Sequence, residues 1–93
     1  MNITEHRREI DKLDAEIVRL LNDRTRHVLE IGAIKLRAGE EIYAPHREKM
    51  VLQRVGKLNP GPITQDSLRA IYREIMSSAL SLEKSMTIAY FGP

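Results

Sequence analysis

No proline and no run of turn-forming residues interrupts the chain between Thr4 and Ala38. Apolar residues recur in this segment at spacings of three and four, the pattern of an amphipathic helix; they are Ile10, Leu13, Ile17, Leu20, Val28, Ile31 and Ile34. At ~1.5 Å per residue, a helix of about 34 residues is roughly 50 Å long, whereas a compact chain of this size has a radius of gyration near ~13 Å. Because the helix must extend beyond its own domain, we expect an antiparallel second copy of the chain to cover its apolar stripe.

Two further helices are predicted after a break at Gly39. Pro45 can occupy the first position of a second helix, which runs to Leu58. Thr64 follows a proline- and glycine-rich loop and is a candidate N-cap for a third helix, which ends at about Ser85. The apolar stripes of these helices are Met50, Val51, Val55 and Leu58, then Leu68, Ile71, Tyr72, Ile75, Ala79 and Leu82.

The composition supports an all-α domain and excludes several classes of protein. A chain of 93 residues with 4% aromatic residues and no Trp builds its core from aliphatic side chains, which suits helices better than sheets. Its 15 basic and 13 acidic residues are interleaved, which argues against a nucleic-acid partner. Cysteine, a signal peptide and any apolar run of ~20 residues are all absent, so we expect no disulfide, no membrane segment and a cytoplasmic location.

Five charged residues fall on the predicted inward faces, where burying an unpaired charge is costly. Arg24 and Lys35 are eleven residues apart on the first helix, about three turns, and therefore share a face. Arg47 and Glu48 lie on the second helix and Glu83 lies on the third. Each could be an aliphatic stem with its charged end in water, or part of a structural ion pair. Together they favour a polar cavity for a dicarboxylate, because guanidinium groups bind carboxylates bidentately and lysine adds a point charge.

Arg7 lies near the same stripe but 17 residues before Arg24, roughly 25 Å away along the helix. It cannot reach a small-molecule site that contains Arg24 of its own chain. In an antiparallel dimer, however, Arg7 of one chain comes beside Arg24 of the other. This geometry predicts a shared site at each end of a dimer.

Several segments, in their order and spacing, resemble the all-helical chorismate mutases. They are Arg7-Arg8-Glu9-Ile10-Asp11-Lys12-Leu13-Asp14, Leu20-Leu21-Asn22-Asp23-Arg24, Glu30-Ile31-Gly32-Ala33-Ile34-Lys35, Ile42-Tyr43-Ala44-Pro45-His46-Arg47-Glu48 and Arg73-Glu74-Ile75-Met76. The resemblance covers about residues 3 to 84 and implies three helices per chain in an intertwined antiparallel homodimer. It also implies the conversion of chorismate to prephenate by a concerted Claisen-type rearrangement, in phenylalanine and tyrosine biosynthesis.

The resemblance implies roles for five charged residues of the first two helices. Arg7, donated by the partner chain, and Arg24 correspond to arginines that hold the substrate carboxylates. Lys35 resembles the lysine at the breaking ether oxygen. Arg47 resembles a further cation beside the site, and Glu48 the carboxylate that accepts the substrate hydroxyl. These five residues, together with Glu83 of the third helix, are the expected substrate-binding charges.

Glu83 falls where the family has Gln or Glu directed at the same ether oxygen, so Arg24, Lys35 and Glu83 are the expected catalytic residues. An ionised carboxylate would repel that oxygen, whereas a protonated one donates a hydrogen bond, so we expect activity to fall as pH rises through the Glu83 pKa. Ala44 stands where an aspartate is common, and we expect it to contact substrate through its backbone amide. Ala79 stands where a serine contacts substrate, so the hydroxyl contribution is missing.

A concerted rearrangement needs no nucleophile, metal or redox group, so no cofactor and no metal site are expected. The three histidines, which are the only candidate nitrogen ligands of a metal, are scattered along the chain. We expect all of them on the surface; they are His6, His27 and His46.

The chain is expected to divide into a mutase domain of residues 1–85 and a tail of residues 86–93. The tail is strand-like, ends in a turn signal and resembles the first strand of a prephenate dehydratase domain, which implies a covalent fusion to such a domain.

Two other functions are also compatible with a small helical chain. One is a non-catalytic helical module that dimerises or binds an aromatic-pathway ligand, and the presence of Lys35 and Glu48 argues against it. The other is a helix-turn-helix nucleic-acid binder, which the lack of a basic face argues against.

Overall fold

The computed structural model describes residues 1–91, which form three helices joined by short connections. Helix α1 spans Ile3–Ala38, α2 spans Pro45–Leu58 and α3 spans Gln65–Phe91. Residues 1–91 contain no strand, so the predicted all-α class and the long first helix are confirmed. No helix in this part of the chain is long and apolar enough to cross a membrane.

Capping interactions explain where α1 begins and ends. Oδ1 of Asn2 accepts a hydrogen bond from the Glu5 amide at 2.8 Å and so satisfies one of the free donors of the first turn. Gly39 ends the helix in a left-handed conformation, with φ 71° and ψ 22°, and its amide donates to the Leu36 carbonyl at 3.2 Å. A glycine adopts this conformation without the steric cost of a Cβ atom, so the break falls where the sequence predicts it.

The starts of α2 and α3 also agree with the sequence predictions. Pro45 occupies the first turn of α2, where its missing amide hydrogen costs no helical bond, and α2 ends at Leu58. Oγ1 of Thr64 accepts a hydrogen bond from the Ser67 amide at 3.2 Å, which caps α3. The connections are therefore set by local chemistry.

The end of α3 differs from the prediction. Residues 86–91 were expected to be strand-like, but α3 continues through them to Phe91, and this prediction was wrong. No proline or glycine interrupts the helix before Gly92, and the hydroxyl of Thr87 donates to the Glu83 carbonyl within it. Gly92 and Pro93 lie outside the described residues. The division of the chain at residue 85 stays a prediction.

The core is small and lies between α2 and α3, and α3 also packs against α1. Val51, Val55 and Met76 are buried in it. Three partly buried side chains extend this cluster; they are Leu52, Leu68 and Tyr72. Helix α3 is thus the only helix of the described chain that packs extensively against both of the others.

Helix α1 extends beyond this core, and the molecule measures 54 × 25 × 17 Å along its principal axes. The only buried residue of α1 is Gly32. Ile10, Leu13 and Ile17 of the apolar stripe are 53%, 60% and 53% exposed. Soluble monomers rarely leave a continuous apolar surface of this kind in water. The chain by itself therefore does not cover the stripe.

Candidate active site

A cavity of about 310 Å³ lies between the three helices and the segment that joins α1 to α2. Small-molecule sites typically have volumes of about 300–1,000 Å³. The structure brings seven of the predicted site residues to the wall of this cavity; they are Arg24, Lys35, Ala44, Arg47, Glu48, Ala79 and Glu83. The rest of the wall is largely apolar, with Val28 and Ile31 of α1, Val51 of α2 and Met76 of α3 among its side chains.

Arg24 and Lys35 reach the cavity from one face of α1, as their eleven-residue separation predicts. The Arg24 guanidinium lies 6.0 Å from the centre of the Tyr72 ring of α3, within range of a cation–π interaction that orients it. Nζ of Lys35 donates to the Ile42 carbonyl at 3.3 Å. Because α1 ends just after Lys35, the chain can fold back and place this carbonyl beside the ammonium group.

The first turn of α2 contributes three of the lining residues: Ala44 at the N-cap, Arg47 and Glu48. The Ala44 side chain cannot cap the helix, and no side chain does so at this position. The positive end of the helix dipole therefore borders the cavity, and such an end stabilises a nearby anion. The Glu48 amide donates to the Ala44 carbonyl at 3.2 Å, so the backbone that carries these residues is held in helical geometry.

Glu83 of α3 is 7% exposed and is the only buried charged residue within residues 1–91. Burial raises the pKa of its carboxyl above the ordinary value, because desolvation disfavours the charged form, while the Lys35 ammonium opposes that shift. Ala79, one turn earlier on α3, is 4% exposed and brings no polar atom of its side chain to the cavity. Glu83 is therefore not an exposed residue at a helix end.

Arg7 does not line the cavity of its own chain, as expected from its distance along α1. Sequence reasoning missed several residues of the wall, and two of them, His27 and Arg54, carry basic side chains. His27 follows Arg24 by three residues, and Arg54 follows Arg47 by seven, so helical spacing could have identified both. His27 is exposed, as are the other two histidines. Within residues 1–91, no group of three or more His, Asp or Glu side chains is placed to hold a metal ion.

These features suit the binding of a small dianion. Four cations surround the cavity, and they are Arg24, Lys35, Arg47 and Arg54. Guanidinium groups can hold carboxylates, and an ammonium group can stabilise negative charge that develops on an oxygen atom. Burial favours the protonated form of the Glu83 carboxyl, and a protonated carboxyl can donate a hydrogen bond to an oxygen atom.

Comparison with known proteins connects this geometry to one family. Residues 6–84 match the family model described as chorismate mutase type II. The chain is 47% identical over 88 residues to a bifunctional chorismate mutase/prephenate dehydratase from Neisseria gonorrhoeae, in a match that covers 95% of this chain and 24% of that protein. It is 44% identical over 95 residues to the protein of the same name from Aquifex aeolicus, covering 98% of this chain and 26% of that protein. The chain thus spans about a quarter of the length of these curated relatives.

A solved structure matches the fold over most of both chains. The Form II structure of chorismate mutase from Thermus thermophilus superposes with a TM-score of 0.86 and 38% sequence identity, covering 88% of this chain and 93% of that one. The similarity therefore extends to the arrangement of all three helices. It also includes the elements that carry the cavity.

Proposed function

We propose that this chain, which belongs to the chorismate mutase type II family, isomerises chorismate to prephenate. The observation that carries the proposal is that Lys35 of α1 and the buried Glu83 of α3 line one cavity together with arginines of α1 and α2. In this rearrangement the ether carbon–oxygen bond of chorismate breaks while a carbon–carbon bond forms within the same molecule. No atom is gained or lost, so the protein has to hold the reactive conformer and stabilise the ether oxygen as charge develops on it.

The cations of the cavity suit the first of these tasks. Arg24 and Arg47 can each hold a carboxylate through two parallel hydrogen bonds, which restricts the substrate to its compact conformer. Glu48 suits a different contact, since an ionised carboxylate accepts hydrogen bonds but does not donate them. It is therefore assigned to the substrate hydroxyl.

Lys35 and Glu83 suit the second task. The Lys35 ammonium is assigned to the breaking ether oxygen, where a positive charge stabilises the transition state more than the ground state. Glu83 is assigned to the same oxygen as a hydrogen-bond donor, which requires the protonated carboxyl that its burial favours. Ala44 is assigned a backbone contact, and Ala79 lies at the wall without a polar contribution.

We also propose an antiparallel homodimer in which Arg7 of each chain completes the site of the other. The exposed stripe on α1 supports this assembly, because a second copy supplies an apolar surface of matching length. Arg7 adds a further cation for the second substrate carboxylate. Since the curated relatives combine a mutase and a prephenate dehydratase in one protein, we further propose that this chain serves as the mutase domain of such a fusion. The cytoplasmic location stays a prediction.

The test is the loss of chorismate absorbance on adding purified protein, with prephenate identified as the product. Arg24→Ala and Lys35→Ala are each expected to lower kcat/KM by a factor on the order of 10²–10³, since each removes a group that stabilises the transition state. Arg26→Ala is the matched control on α1, because Arg26 pairs with Asp23 at 2.7 Å and its side chain is 71% exposed. A folded dimer that binds chorismate but does not convert it would instead indicate the non-catalytic regulatory module.

A further inference from the structure

Gly32 of α1 and Glu83 of α3 are in unusually close contact. A Cβ atom built on Gly32 would lie 2.8 Å from Oε2 of Glu83 and 3.5 Å from its Cγ. The same atom would lie 2.8 Å from Cε of Met86, one turn further along α3. The Glu83 carboxyl therefore occupies space that any side chain at position 32 would take.

The conformation of the backbone does not explain a glycine at this position. Gly32 lies inside α1 and does not have positive φ, unlike Gly39 and Gly61. Within a helix, glycine is less favourable than alanine because it loses more backbone freedom on folding. Gly56, the buried glycine of α2, offers a contrast, because a Cβ atom there would meet its nearest neighbour at 3.8 Å. What glycine provides at position 32 and not at position 56 is room for another side chain.

The contact also places Glu83 relative to the cavity. Lys35 follows Gly32 by three residues, about one turn, so it projects from a neighbouring position on α1. Lys35 is also the charged group that acts on the Glu83 carboxyl against the effect of burial. Both the burial of the carboxyl and its closeness to Lys35 thus depend on how near α3 can bring it to α1.

We propose that Gly32 is a positioning residue, whose missing side chain lets the Glu83 carboxyl lie against α1 beside Lys35 and point into the cavity. The effect of this position on catalysis rests on the proposed function, in which Glu83 donates a hydrogen bond to the ether oxygen. The position of the carboxyl itself does not depend on that function. A methyl group at position 32 would move the flexible Glu83 side chain toward solvent and away from this position. Displacement would reduce its desolvation, so its pKa would move down toward the ordinary value.

Other charged and titratable groups line the same cavity, and the substitution leaves them in place. They are Arg24, His27 and Lys35 of α1 and Arg47, Glu48 and Arg54 of α2. Because these groups are unchanged, an altered titration of Glu83 would report its own displacement. The titration is therefore the readout that separates a positioning role from a general effect on packing.

The experiment compares Gly32→Ala with Gly56→Ala, two substitutions of a buried helical glycine by the same residue. Titration of the Glu83 side-chain carboxyl by NMR needs no turnover, and kcat/KM for chorismate is measured against pH in parallel. In Gly32→Ala, Glu83 is expected to titrate at lower pH than in the wild type. The kcat/KM at neutral pH should fall by a factor on the order of 10–10², with its alkaline limb moved to lower pH. Gly56→Ala should leave both measurements unchanged.

An unchanged Glu83 titration in folded Gly32→Ala would overturn the inference. If Gly32→Ala alone does not fold, Gly32→Ala with Met86→Ala removes the other atom that the new methyl group meets and is measured instead. Failure of that double variant to fold would also count against the inference, which requires only the carboxyl to move. If the wild type does not convert chorismate, the proposed function fails, but the NMR titration still decides whether Gly32 positions Glu83.

Discussion

The two halves of α1 have the same apolar periodicity but different surroundings. Residues 3–21 are exposed throughout, whereas residues 22–38 include the buried Gly32 and the charged residues of the cavity. The first half contains exposed ion pairs between neighbouring turns, such as Lys12 with Glu9 at 3.2 Å and Arg19 with Glu16 at 2.8 Å. Pairs of this kind contribute only about 0.2–0.5 kcal/mol each. The comparison shows that an apolar stripe predicts a buried face without indicating which chain buries it.

The difference assigns the two halves separate tasks in the proposed dimer. The second half is assigned the reaction site, because Arg24 and Lys35 line the cavity of their own chain. The first half is assigned the assembly surface, with Arg7 placed at the site of the other chain. The decisive question is whether Arg7 of one chain contributes to the site of the other chain.

Arg7→Ala and Arg24→Ala should each lower kcat/KM by a factor on the order of 10²–10³, because each removes the proposed charged partner of a substrate carboxylate. If Arg7 acts on the partner site, a mixed dimer contains one site with both arginines and one site with neither. When the two variants are unfolded together and refolded, about half of the dimers should be mixed. One of the two sites in each mixed dimer is complete, so about one quarter of wild-type activity should return. Activity is measured before and after this exchange.

Refolding either variant by itself is the control for this exchange. No gain in activity on mixing, in a sample shown to contain mixed dimers, would place Arg7 outside the shared site. The first half of α1 would then serve assembly alone.

Leu13→Ala should lower the free energy of unfolding by about 2 kcal/mol or more, because a second copy would bury this side chain. Without such cover, a substitution at a residue 60% exposed would change stability by only about 0.5 kcal/mol. Val18 is 57% exposed and lies off the stripe, which makes Val18→Ala the matched control. Urea unfolding at several protein concentrations measures the free energy of unfolding of both variants. An unfolding midpoint for Leu13→Ala equal to that of Val18→Ala would argue against the dimer.

Much of the fold follows from local signals in the sequence. The helix ends are set by effects that act within a few residues. Gly39 ends α1 through its left-handed backbone, Pro45 begins α2 where no amide hydrogen is needed, and Thr64 caps α3 with its side chain. The end of α3 was not predictable in this way. The β-branched and aromatic residues of 86–91 favour a strand by local preference, but in the structure the helix continues and Met86 lies against Gly32.

The candidate site shows a similar limit. Lys35 and Glu83 were predictable because a charge on an inward helical face conflicts with its surroundings, and the conflict is visible in the sequence. His27 and Arg54 lie at helical spacing from predicted residues, so their positions were available from the same pattern. The role inferred for Gly32 was not predictable from the sequence pattern, because it depends on the distance between two helices that are far apart in sequence.

Glu83→Gln tests the buried carboxyl of α3 in the cavity that the second half of α1 lines. Its expected effect on stability is the smallest of the effects predicted here. Because burial raises the folded-state pKa of Glu83 above its unfolded value, the folded chain binds a proton more readily. The contribution of the group to stability is then fully present below the unfolded pKa and is lost as pH rises through the folded pKa, with a slope of at most about 1.4 kcal/mol per pH unit. Glutamine cannot ionise, so the variant should lose this pH dependence.

The activity of the wild type should fall over the same pH range, because deprotonation would remove the proposed hydrogen bond to the ether oxygen and place a negative charge near it. Glu83→Gln should retain activity at high pH, since its amide donates at every pH. Glu74→Gln on the exposed face of α3 is the control for loss of one negative charge. If kcat/KM against pH has the same alkaline limb in the wild type and in Glu83→Gln, another group titrates, and the buried carboxyl has no part in the chemistry.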